Sequence, residues 1–65
     1  MSNTKPNNFK RIRKERKITQ SDLANALGVT EVTISRYETG DHKLPVEKAK
    51  KIAVILGCNW WELYD

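Results

Sequence analysis

The chain has 65 residues, of which 31% are charged, and a formal net charge of +4. That length holds one small domain with a modest core and leaves little room for a deep enzyme cleft. One cysteine and one histidine exclude an internal disulfide and do not suit a zinc site of the usual ligands, and the longest apolar stretch, residues 52–56, is far too short to span a bilayer.

Residues 1–7 are polar, contain Pro6 and read as a flexible arm. They carry no signal-peptide pattern, which with the lone Cys58 points to a reducing cytoplasm. Asn7 or Asn8 can cap a first helix that presents Phe9, Ile12 and Arg13 on one face, at i, i+3 and i+4. Thr19 is a natural N-cap for a second helix over about 20–27, and Asp22 three residues later completes a variant of the capping box. Leu23, Ala24 and Leu27 form its apolar stripe, and Gly28 stands where a left-handed residue ends such a helix.

Residues 28–40, GVTEVTISRYETG, are rich in β-branched side chains and pose a choice. As a strand, alternation would put Val32, Ile34, Arg36 and Glu38 on one face, mixing core and charge. As a helix over 31–38, Ile34, Tyr37 and Glu38 share one side, with Val32, Ser35, Arg36 and Thr39 on the other. Thr30 as a cap and Gly40 as a stop favour the helix. Pro45 suits the first turn of a fourth helix marked by Val46, Ala49, Ile52, Ala53 and Leu56 and ended by Gly57. Asn59 can cap a last short turn through Asp65, with Glu62 at its third position. The pattern predicts an all-α fold of five short helices.

Charge is unevenly spread. Residues 1–17 hold Lys5, Lys10, Arg11, Arg13, Lys14, Arg16 and Lys17 against Glu15 alone. Residues 18–47 reverse this, with Asp22, Glu31, Glu38, Asp41 and Glu47 against Arg36 and Lys43. The basic total suggests an anionic partner, but the acidic middle rules out a uniformly basic surface.

Two short helices joined by a tight turn containing glycine describe a helix-turn-helix. The run TQSDLANALGVTEVTISRYETG resembles that motif in the Cro/C1-type (xenobiotic-response-element) transcription regulators. The matching residues are Thr19-Gln20, Leu23-Ala24, Leu27-Gly28-Val29, Ile34-Ser35, Tyr37-Glu38 and Gly40, and the likeness extends over about 8–64. The resemblance implies a compact five-helix, lambda-repressor-like DNA-binding domain over 8–65, with the helix-turn-helix at about 19–39. It implies a Cro-like repressor that binds a palindromic double-stranded DNA operator as a homodimer.

The resemblance further implies an ion pair, Arg13 with Glu38, between the first and third helices. The third helix would enter the major groove with its N-terminal residues at base edges. The base contacts then fall on Glu31, Val32, Ser35 and Arg36. A guanidinium fork matches guanine O6 and N7, Val32 can meet a thymine methyl, and Glu31 can accept from cytosine N4. Glu31 equally suits the helix dipole, or excludes wrong sequences. Phosphate contacts are implied for Thr19, Gln20, Asn25, Thr30, Thr33, Thr39 and Lys43, with capping as the competing role for Thr19 and Thr30. Asp41 departs from the pattern, which often has a basic residue just after this glycine.

Similar regulators dimerise near the C-terminal region, which places Trp60, Trp61, Leu63 and Tyr64 as interface candidates. Adjacent tryptophans are hard to bury together, so one is expected to close the core with Leu63 while the other, or Tyr64, stays exposed. Other readings share the chemistry: the DNA-binding antitoxin of a toxin–antitoxin pair, or the N-terminal domain of a longer repressor. A reading of another class is a helical protein-interaction module with no DNA role. Ser21, Ser35, His42 and Cys58 form no nucleophile motif, so no enzyme is expected. Neither cofactor, metal, small-molecule ligand nor membrane is expected as a partner.

Overall fold

The computed structural model describes residues 8–64, and the arm assigned to 1–7 lies outside them. Four α-helices follow in order: α1 (Phe9–Glu15), α2 (Gln20–Leu27), α3 (Glu31–Thr39) and α4 (Val46–Leu56). A 3-10 helix over Trp60–Tyr64 closes the described chain. There is no strand among the described residues, so the architecture is all-helical.

The β-branched stretch is helical because its ends are fixed. Thr30 Oγ1 accepts from Thr33 N–H at 3.2 Å, and Gly40 leaves the helix at φ 86°. A capping box starts α2: Thr19 Oγ1 accepts from Asp22 N–H at 3.0 Å, and Asp22 Oδ2 accepts from Thr19 N–H at 3.1 Å. Gly28, at φ 70°, turns the chain so that Val29 N–H reaches back to the Ala24 carbonyl at 3.0 Å. A Cβ at Gly28 or Gly40 would meet nothing within 4 Å. What both positions require is the left-handed backbone, not space.

Two helix starts differ from expectation. Asn8 is already helical, at φ −73° and ψ −5°, and makes no side-chain cap. Only its carbonyl serves, accepting from Ile12 N–H at 2.9 Å. Pro45 stands one residue ahead of α4 rather than in its first turn. At φ −65° and ψ 144° it is the N-cap itself, and its carbonyl accepts from Ala49 N–H at 2.9 Å. A proline fits there because that position needs no backbone donor.

The core lies between the helices and draws on every one of them. Phe9, Leu23, Ile34, Ile52, Leu56 and Leu63 are its fully buried large side chains. Ala24, Ala49 and Ala53 are buried small residues that let backbones approach. Leu44, in the loop before α4, is buried as well, while Leu27 and Val29 pack half-buried against the cluster.

The end of α1 has no glycine. Lys17 takes the left-handed role at φ 58°, the one non-glycine residue with positive φ among those described. Ile18 N–H bonds the Arg13 carbonyl at 3.1 Å and Lys17 N–H bonds the Lys14 carbonyl at 3.0 Å, a complete Schellman pattern. A left-handed L-residue costs about 1–2 kcal/mol. Glycine would remove that cost but lose about 0.5–1 kcal/mol of chain entropy. Lys17→Gly should therefore stabilise the fold by about 0.5–1 kcal/mol, and Lys17→Val should destabilise it. Urea midpoints of the two variants check this, and a lower midpoint for Lys17→Gly would refute it.

Candidate nucleic-acid interface

The helix pair α2–α3 presents one outward face. Helical spacing turns Ile34, Tyr37 and Glu38 of α3 into the protein and leaves Glu31, Val32, Arg36 and Thr39 exposed. Ser35 and Thr33 are half-buried at the edges of that face. Val32 is 58% exposed, an apolar side chain with no place in the core. Arg36 bonds through its guanidinium to none of the described residues. Its backbone is held, since the Arg36 carbonyl accepts from His42 N–H at 3.2 Å and from Thr39 Oγ1–H at 3.3 Å.

α3 is anchored from beneath by a buried carboxylate. Glu38 is 3% exposed and Arg13 is 7% exposed. Arg13 Nε donates to Glu38 Oε2, and Arg13 Nη2 makes a longer contact of 3.4 Å to Oε1. Arg13 Nη1 donates to the Ile18 carbonyl at 2.9 Å, so the same guanidinium also holds the entry to α2. Gln20 Nε2 donates to Glu38 Oε1 at 3.0 Å. Three segments thus converge on one carboxylate. Such a pair adds little net stability, but losing one partner strands a buried charge.

The hydroxyls and amides proposed for phosphates differ in what they have free. A hydroxyl has one donor and two acceptor positions. Thr19 Oγ1 accepts from Asp22 N–H, which leaves its O–H available. Thr30 Oγ1 and Thr33 Oγ1 share a hydrogen bond at 3.0 Å. Thr39 O–H is already engaged with the Arg36 carbonyl. Asn25 and Lys43 are exposed, and Gln20 is half-buried with its nitrogen on Glu38. Residues 19–43 carry Asp22, Glu31 and Asp41 in exposed positions against Arg36 and Lys43. The positive charge lies elsewhere, on Lys10, Arg11 and Lys14 of α1 and on Lys50 and Lys51 of α4. Arg11 is partly offset by an exposed pair with Glu15 at 3.1 Å. Arg16, outwardly one more basic residue, donates Nε to the Leu56 carbonyl at 2.8 Å and closes the end of α4.

The family model for the helix-turn-helix, HTH_3, matches residues 9–60. The chain belongs to the Cro/C1-type helix-turn-helix family. It is thereby a DNA-binding regulator of that type. No curated protein matches the chain significantly. The span matched by the helix-turn-helix family takes in α1 to α4 and the first residue of the 3-10 helix.

At the far end of this helix-turn-helix protein, the 3-10 geometry sorts the aromatic residues. Side chains at i and i+3 eclipse one another in such a helix. Trp60 and Leu63 therefore share the inner side, and Trp61 and Tyr64 the outer. Leu63 has no exposed surface, so it is a core residue and is corrected out of the interface candidates. Trp60 is half-buried against the core, with Lys50 Nζ 5.8 Å from its ring centroid. Trp61 is 54% exposed and Tyr64 39% exposed, and each meets Trp60 edge to face, at 5.8 and 6.0 Å between centroids. Tyr64 Oη donates to the Leu44 carbonyl at 2.6 Å. Among the described residues no helix is long and apolar enough to cross a membrane.

Sequence reasoning missed three of these contacts, Gln20–Glu38, Arg16–Leu56 and Tyr64–Leu44, and also the left-handed Lys17. The last has no sequence signal, and the others depend on helix placement.

Burial raises the Cys58 thiol above its ordinary value, with Glu62 adding to the effect and Arg16 opposing it. Burial likewise raises the Tyr64 phenol. Both groups are favoured neutral by the fold. Their contribution is complete below their unfolded values and is lost as pH rises through the raised ones. The melting temperature should therefore fall in the alkaline range, and less steeply in a Cys58→Ser/Tyr64→Phe variant. Identical alkaline slopes in the two proteins would contradict this assignment.

Proposed function

We propose that the protein is a sequence-specific repressor of the Cro type, acting in the cytoplasm, that binds a palindromic operator as a homodimer. The observation that carries this reading is the outer face of α3. It is a helix fixed at both ends and from beneath, yet it leaves an apolar valine and an unengaged guanidinium side by side in solvent. A surface serving only solubility has no use for that combination.

Arg36 reads a guanine through O6 and N7, and Val32 meets a thymine methyl. Ser35, half-buried beside them, bonds either base type. Glu31 accepts from a cytosine N4 or keeps unsuitable sequences out. Phosphates are met by Thr19, Gln20, Asn25, Thr30, Thr33 and Lys43, with Thr39 joining once it releases the Arg36 carbonyl. Neutral donors suit a face that carries carboxylates, because the phosphate needs a hydrogen bond there rather than net charge. The basic residues of α1 and α4 supply the long-range attraction.

The exposed Trp61–Tyr64 edge, with Trp60 beneath it, is the dimer face. A twofold through that edge sets two recognition helices about one DNA turn apart, roughly 34 Å. No small-molecule effector is needed, since protein concentration and site affinity set occupancy.

Selection from a random duplex library at low salt should return two symmetric half-sites about 10–10.5 base pairs apart, centre to centre. Recovery of no preferred duplex would sink the reading. Arg36→Ala should weaken specific binding by about 1–3 kcal/mol and relax preference at one base position. Equal losses on every sequence would reduce Arg36 to a phosphate contact. Trp61→Ala should weaken self-association in sedimentation while leaving the helical signal intact, and unchanged association would place the dimer face elsewhere.

A further inference from the structure

We propose that Glu38 is a positioning residue for DNA docking. It holds the Gln20 side-chain amide so that one N–H of its nitrogen is fixed inside the protein and the other is left to meet a phosphate at the start of α2. The inference rests on the reading of Gln20 as a phosphate contact.

The geometry is specific. Glu38 is buried, its Oε2 takes Arg13 Nε, and its Oε1 takes Gln20 Nε2 at 3.0 Å. A carboxylate beside a guanidinium offers acceptors only. The amide of Gln20 therefore has to turn its nitrogen toward Glu38. The flipped amide would set a carbonyl oxygen against a carboxylate in a buried place. A primary amide nitrogen has two donors, and this contact uses one. Gln20 is half-buried at the first position of α2, so its outer side reaches solvent. Directly before it, Thr19 accepts from Asp22 N–H and keeps its own O–H as a donor. Two neutral donors thus stand at one helix start, and one of them is oriented in advance by an internal anion. That pre-orientation lowers the ordering cost of docking. Arg13 offsets the charge of Glu38, so an approaching phosphate does not face an uncompensated carboxylate.

The role differs from that of a structural ion pair, and a double-mutant cycle separates the two. Gln20→Ala is measured against the selected operator in two backgrounds, wild type and Arg13→Met/Glu38→Gln. The second removes both charges of the buried pair together, a change a fold tolerates far better than the loss of one. It also puts at position 38 an amide that both donates and accepts, so nothing dictates how Gln20 turns. Gln20→Ala should cost about tenfold in operator affinity in the wild type and less than about threefold in the uncharged background. Equal losses in both backgrounds would overturn the proposal, as would a harmless Gln20→Ala in a wild type that binds its operator. A wild type that binds no duplex would instead remove the DNA reading of the interface. A second measurement does not need the double variant to fold: hydrogen exchange of the Gln20 side-chain amide by NMR in the wild-type protein. One slowed proton is expected in the free protein and two on the operator. Two fast-exchanging protons in the complex would refute the proposed role.

Discussion

The buried carboxylate of Glu38 is the point through which the three N-terminal helices are set against one another. Arg13 reaches it from α1, Gln20 from α2, and Glu38 itself belongs to α3. The same arginine holds the Ile18 carbonyl, while its own carbonyl accepts from Ile18 N–H. Arg13 therefore clasps Ile18 with side chain and backbone together. A small domain has few contacts with which to fix helix angles. One carboxylate with partners on two other helices specifies geometry that greasy contacts alone leave loose, in keeping with the registry role best attested for buried polar groups.

The outer face follows from that anchoring. With its base held from beneath, α3 can expose Val32 and Arg36 without needing either for stability. Charge is separated by task. The exposed part of the helix pair has more carboxylates than cations, while α1 and α4 carry exposed lysines. On the proposed reading, long-range attraction and discrimination at contact fall to different helices. Capping adds a second economy. The threonines that start α2 and α3 bond their own backbones, and Thr19 keeps a donor in hand.

Most helix boundaries were legible because each carries a local signal. Thr19, Thr30, Gly28 and Gly40 punctuate the chain strongly enough to overrule the β-branched run between them. The helix-turn-helix and its outward residues followed from spacing. Other features depended on information that spacing does not hold. Lys17 adopts a conformation usually marked by glycine, and only the turn geometry reveals it. In the terminal aromatic run Leu63 was expected to face the core, but which tryptophan joins it, Trp60, is fixed only by how the run packs. Gln20 looks like a surface amide until α3 is placed beside it. Pro45 was off by one position because an N-cap and a first-turn residue make the same demand on φ.

The Tyr64–Leu44 hydrogen bond ties the aromatic edge to the loop after α3. Leu44 lies next to Lys43, in the loop that follows α3, and His42 of that loop is bonded to the Arg36 carbonyl. Residues 20 apart in the chain are thus one hydrogen bond apart in space. The exposed aromatic edge and the C-terminal end of α3 are thus tied to one short loop, each by a hydrogen bond. A displacement of that edge would therefore pull on the same loop that holds the Arg36 carbonyl.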